Sequence, residues 1–127
     1  MEVSTGPLTN ALAALKRALD QPKNEFTRGA TIQAFEFSFE LSWKLLLRYF
    51  KVELNLDLAS PRSVLKEAGK RGILADVSIW LDYLKNRNLT VHSYNQETAD
   101  TVYDVAKKFH PDAVILTKKI EELLCDL

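Results

Sequence analysis

The stretch from Glu25 to Val52 constrains this chain more than any other. It contains no proline, and Ile32, Phe35, Phe39, Trp43, Leu46 and Phe50 recur at the three- and four-residue steps of one helix face. Phe37, Leu41, Leu45 and Leu47 load a second side. A helix that is apolar over most of its circumference has to be surrounded by other helices, so this stretch predicts a bundle with itself at the centre. The alternation in Phe35-Glu36-Phe37-Ser38-Phe39-Glu40-Leu41 is strand-like only in isolation. No turn residues bound it, and both flanks are strongly helical.

The other segments supply the neighbours such a helix needs. A first helix is predicted from about Pro7 to Asp20, with Leu8, Leu12, Leu15 and Leu19 on one face and Gln21-Pro22-Lys23-Asn24 as the break. A third opens at Ser60-Pro61, an N-cap followed by proline at the first helical position, and stops at Gly72. Asp76 caps a fourth, Val77 to about Thr90, whose apolar side is Val77, Trp80, Leu81, Leu84 and Val91. Ser93-Tyr94-Asn95 forms a tight junction in which Asn95 caps a fifth helix, about Gln96 to Leu124. Pro111 lies inside that last segment, so the helix kinks there or a sixth begins. The expected fold is all-α: residues 1–127 as a single domain, an antiparallel up-and-down bundle of four to six helices.

Charge and cysteine content narrow the function. Seventeen basic residues balance 17 acidic ones, which is not the basic excess of a constitutive, sequence-independent nucleic-acid binder. The one cysteine, Cys125, excludes an intramolecular disulfide and a multi-cysteine metal site, and reads as a packed or incidental thiol. The start, Met1-Glu2-Val3-Ser4-Thr5-Gly6, is unlike a signal peptide, and no apolar stretch approaches the ~18 residues of a membrane span, so the cytoplasm is the expected compartment.

Two polar patterns stand out on the helices. Glu36, Glu40, Lys44 and Arg48 step by four along the second. The simpler reading is a solvated stripe with a supporting Glu40–Lys44 pair, and the sharper one puts Glu36 and Glu40 at an interface or cleft. Arg62, Lys66 and Lys70, with Arg71 beside them, form the chief basic cluster. It reads as a solvated face first and a phosphate or acidic-partner contact second.

With two histidines, no His-rich metal spacing and no Gly-rich phosphate loop, chemistry has one place to sit: Arg87-Asn88-Leu89-Thr90-Val91-His92-Ser93-Tyr94. Five residues of ideal helix turn about 500°, placing His92 about 140° from Arg87, whereas Tyr94 returns to within about 20°. Arg87 and His92 converge only if the helix loosens near Thr90-Val91, or if two chains share one site. Metal-free RNA cleavage needs proton transfer to and from the 2′- and leaving oxygens and a cation on the crowded phosphate. Imidazole and guanidinium supply those roles, and Asn88 adds a neutral hydrogen bond. The competing reading is structural, with Arg87 anchoring a helix end and His92 satisfying a backbone carbonyl.

Several motifs together resemble one family. Gln33-Ala34-Phe35-Glu36-Phe37-Ser38-Phe39-Glu40-Leu41-Ser42-Trp43-Lys44, Ser60-Pro61-Arg62, Trp80-Leu81-Asp82 and the Arg87–Tyr94 run are similar, in order over about residues 8 to 125, to the nucleotidyltransferase substrate-binding proteins of the HEPN superfamily. The resemblance implies a homodimer paired with a minimal nucleotidyltransferase encoded nearby in a bacterium or archaeon, with no cofactor and no metal. In related toxin–antitoxin pairs the helical protein is a metal-independent ribonuclease using Arg–x4–His, and its partner silences it by attaching AMP to the motif tyrosine. Carried over, Arg87, His92 and Asn88 are the catalytic candidates and Tyr94 is the modification site. An older view of the same branch makes the helical protein a non-catalytic substrate-binding subunit of the transferase. Glu36, Glu40, Trp43 and Lys44, with Arg62 and Lys66, are then the candidates for contact with RNA, nucleotide or partner.

Overall fold

The computed structural model describes residues 2–126; Met1 and Leu127, the ends of the expected domain, lie outside them. Five α-helices form: α1 Gly6–Leu19, α2 Glu25–Leu54, α3 Pro61–Lys70, α4 Val77–Leu89 and α5 Gln96–Cys125. A 3-10 turn, Thr90–His92, joins α4 to the junction before α5. No strand occurs among the described residues, and none of the helices is long and apolar enough to cross a membrane.

Each boundary has a local cause. Asn24 accepts from the amides of Phe26 and Thr27 while the Thr27 hydroxyl accepts from the Asn24 amide, a reciprocal cap that starts α2. The same box recurs between Ser60 and Ser63 ahead of α3. Asp76 and Asn95 cap α4 and α5. Gly72, at φ 75°, ends α3 by letting the Ile73 amide reach back to the Ala68 carbonyl at 2.9 Å. Pro111 opens no sixth helix, and α5 continues through it. Pro111 and Lys107, whose carbonyl loses its helical donor, are both exposed, so the missing bond lies on the solvent side of the helix.

The core is built on α2, which touches every other helix. Phe35 and Phe39 meet Phe109 of α5 at ring-centroid distances of 5.1 and 6.3 Å, and Trp80 and Tyr83 of α4 close on the same ring at 5.7 and 5.3 Å. Edge-on aromatic packing of this kind adds to the area term. Thr5, just ahead of α1, donates to Glu121, and His110 lies 3.2 Å from the Leu12 carbonyl, so α5 runs antiparallel to α1. The second side expected for α2 closes only in part. Leu45 is buried and Leu41 and Leu47 are half-buried, but Phe37 is 59% exposed, because no helix covers the outer side of the α1–α2 seam.

One further expectation needs correction and another narrows. Val91, assigned to the apolar side of α4, is 67% exposed because the 3-10 turn rotates it outward; Tyr83 and the Asn86 amide take the buried positions instead. Of the two readings of Cys125, its exposure removes the packed one and leaves the incidental one.

Candidate functional site

Arg87 sits in the last turn of α4 and reaches across to the middle of α2, where its Nε donates to Glu40 Oε1 at 3.1 Å. The other carboxylate oxygen, Oε2, accepts from the Trp43 indole N–H at 3.2 Å. The arginine and glutamate side chains are 26% and 33% exposed, so the pair is partly desolvated yet open on one side. Glu40 therefore does not pair with Lys44, as helical spacing suggested. The Lys44 amine lies 6.0 Å from the Trp43 ring centroid instead. Among the described residues the terminal nitrogens of Arg87 make no hydrogen bond, leaving the outer edge of the guanidinium unengaged.

The Thr90 hydroxyl donates to the Arg87 carbonyl at 2.7 Å, and the Ser93 amide bonds to the Thr90 carbonyl at 3.1 Å. These contacts convert the end of α4 into a 3-10 turn, so the helix tightens where loosening was expected. At about 120° per residue the last three steps carry His92 to about 160° from Arg87. No hydrogen bond joins the two side chains among the described residues. His92 and Tyr94 stand exposed on the turn, their ring centroids 6.4 Å apart, and Tyr94 is 88% exposed. The His92 ring makes no hydrogen bond among the described residues. The carbonyl-satisfying histidine is His110, bridging α5 to α1. Asn88, next to Arg87, is exposed.

The remaining candidates divide. Glu40 and Lys44 line a groove between α1 and α2 floored by Ala11, Ala14, Ala34, Phe37 and Leu41. Glu36 is half-buried one turn away and does not line it. Arg62 and Lys66 are exposed on α3 and do not line the α1–α2 groove; their neighbour Arg71 is paired to Glu67 at 3.2 Å. No grouping of three or more metal-ligating side chains occurs among the described residues. Sequence reading missed a hollow beside Tyr94, where Lys23 and Arg28 converge on Asp100. The Lys23 hydrogen bond, then the Arg28 one, holds that carboxyl below its ordinary range. Tyr83 was also missed. Burial, and its hydroxyl's donation to Asp112, push its ionisation well above the usual tyrosine range.

Residues 4–122 match the family model described as nucleotidyltransferase substrate binding protein like. The chain belongs to the nucleotidyltransferase substrate-binding protein family. A Haemophilus influenzae relative named probable ribonuclease HepT is 34% identical over 95 residues, covering 72% of this chain and 65% of that protein. The match therefore spans just under two thirds of the curated relative's length. Its helices superpose on those of a Thermus thermophilus crystal structure with a TM-score of 0.81 at 32% identity, covering 86% of this chain and 94% of that one. A Haemophilus influenzae structure, described as revealing the fold of a substrate binding domain of a nucleotidyltransferase, aligns with a TM-score of 0.83 at 28% identity over 93% of this chain and 99% of that one.

Proposed function

We propose that this chain is the toxin of a toxin–antitoxin pair: a metal-independent HEPN-type endoribonuclease that works as a homodimer through Arg87 and His92, with Asn88 beside them. A minimal nucleotidyltransferase partner silences it by transferring AMP to Tyr94. The observation that carries this reading is the setting of Arg87, gripped through Nε by Glu40 with its outer edge unengaged, beside a turn that presents His92 and Tyr94 to solvent. A guanidinium fixed on one edge and open on the other is arranged to receive a phosphate in a forked grip. The relative named as a probable ribonuclease supports the same reading.

In the reaction, a 2′-oxygen bonds to the adjacent phosphorus, the bond to the 5′-oxygen breaks, and a cyclic phosphate and a 5′-hydroxyl result. The His92 imidazole takes the 2′ proton, the imidazolium so formed gives a proton to the leaving oxygen, and Arg87 meets the charge that builds on the phosphate. A single chain has one His92, and it diverges from Arg87, so the full set comes from two protomers. The test is expression without the partner. Growth arrest is expected, with His92→Ala and Arg87→Ala relieving it and the purified wild type cleaving RNA in chelator. Growth indifferent to all three proteins would overturn the reading.

The α1–α2 groove favours a second reading, a non-catalytic substrate-binding subunit of the transferase. Phe37 gives it an exposed aromatic surface, and Glu40 and Lys44 give it a polar rim. It requires a stable complex with the transferase that Phe37→Ala weakens; co-purification unchanged by that substitution would sink it.

A further inference from the structure

Tyr94 lines a polar hollow that the ribonuclease reaction does not use. Lys23 and Asn24 come to it from the α1–α2 loop, Glu25 and Arg28 from the start of α2, and Gln96 and Asp100 from α5. Two cations converge there on one oxygen, Lys23 Nζ at 3.2 Å and Arg28 Nη1 at 3.1 Å from Asp100 Oδ1. Lys23 is steadied by the Tyr103 ring, whose centroid is 4.7 Å from its amine. The Arg28 side chain is 19% exposed and uses one donor on Asp100, with no other hydrogen bond among the described residues. Asn24 already occupies the Phe26 and Thr27 amides, so the anion-holding capacity here belongs to the two side-chain cations and not to the helix end.

We propose that Lys23 and Arg28 form the receiving site for a phosphate carried covalently on Tyr94, the phosphodiester of a tyrosine-linked nucleoside monophosphate, with Asp100 as the placeholder that phosphate displaces. The inference rests on Tyr94 being the acceptor in the reading above. In forming the linkage, the tyrosine oxygen bonds to the α-phosphorus of a nucleoside triphosphate. The bond from that phosphorus to the pyrophosphate oxygen breaks, pyrophosphate leaves, and the phenolic proton passes to solvent. The phosphodiester brings one negative charge to the place where the Asp100 carboxylate sits between two cations. Asp100 is 40% exposed on its side chain and can turn to water. Glu25, also on the rim, is the opposing charge that remains. Held this way, the nucleotide stays folded against the start of α2 instead of swinging on an exposed ring.

The probe is phosphotyrosine incorporated at position 94, which tests the receiving site whether or not the transferase modifies this chain. Its second ionisation, followed by phosphorus NMR, is expected about half a pH unit lower in the otherwise wild-type protein than in Lys23→Gln or Arg28→Gln, and lower still in Asp100→Asn. These variants remove one charge each and keep a polar side chain, and a circular dichroism spectrum checks that each is folded. Equal midpoints in all four proteins would overturn the inference. A saturable shift of the Arg28 resonances by inorganic phosphate in the unmodified protein would reassign the site to a soluble anion and also overturn it. If co-expression with the transferase leaves Tyr94 bare while the midpoints separate as expected, the acceptor reading falls and the cation site stands.

Discussion

At the scale of single residues, the side chain that organises the site is Glu40, because one carboxylate satisfies both the Arg87 Nε and the Trp43 indole. Removing it is expected to release Arg87 without unfolding the bundle. In a double-mutant cycle of Glu40→Ala with Arg87→Ala, urea denaturation should give a coupling of about 1 kcal/mol, the upper range for a partly exposed pair. Additive losses would show the pair to be energetically idle. Tyr83 makes a second residue-level prediction. Its ionisation is raised by burial and by Asp112, so the folded state favours the neutral phenol. Stability from this group is complete below the ordinary value of 10.0 and is lost as pH rises above it, because the unfolded tyrosine gives up its proton first. Tyr83→Phe should cost about 1 kcal/mol at neutral pH, and the gap from wild type should narrow above pH 10. These partnerships were not legible in the sequence. Spacing reveals neighbours three and four residues apart, which is why Glu40 suggested Lys44, whereas Arg87 lies 47 positions away and meets Glu40 only after α4 packs on α2.

At the scale of elements, the sequence was far more legible, because caps and periodicity are local. Asp76, Asn95 and Ser60-Pro61 start their helices as read, and the apolar steps of α1 and of the first face named for α2 point inward. What local reading missed is set by competition at helix ends and by helix-to-helix approach. The Thr90 hydroxyl takes the Arg87 carbonyl and tightens the turn, an outcome that β-branching at Thr90-Val91 alone did not reveal. Gly69 shows the second kind. A Cβ placed there would lie 2.8 Å from Val77 Cβ, so α3 and α4 approach as closely as they do only because a hydrogen is all Gly69 presents. Gly69→Ala gains helix propensity of about 1 kcal/mol but must push two helices apart against backbone-fixed atoms. The clash is expected to win, with a net loss of about 1 kcal/mol and a lower urea midpoint. A stabilised variant would mean that the α3–α4 contact yields freely.

At the scale of the whole molecule, the divergence of Arg87 and His92 becomes an argument about assembly. Neither helix geometry nor the tightened turn brings them together in one chain, so the ribonuclease reading holds only if protomers share their residues. That requirement has a signature which a self-contained site lacks. In a symmetric dimer whose sites each take Arg87 from one protomer and His92 from the other, Arg87→Ala and His92→Ala are each inactive alone. Mixed by co-refolding, half of the dimers are heterodimers, and each heterodimer rebuilds one intact site while concentrating both defects in the other. Ribonuclease activity should therefore return to about a quarter of the wild-type value in the equimolar mixture. Tyr94→Phe mixed with either variant should give about half of the wild-type activity whether or not subunits exchange, so it calibrates dilution while mass spectrometry reports exchange. No recovery, with exchange verified by mass spectrometry, would mean that each site needs both protomers' full motifs or that the pair does not act across the dimer. Recovery would fix the dimer axis beside the 3-10 turn, close to Glu40 and the α1–α2 groove, where the exposed Phe37 offers apolar surface to bury.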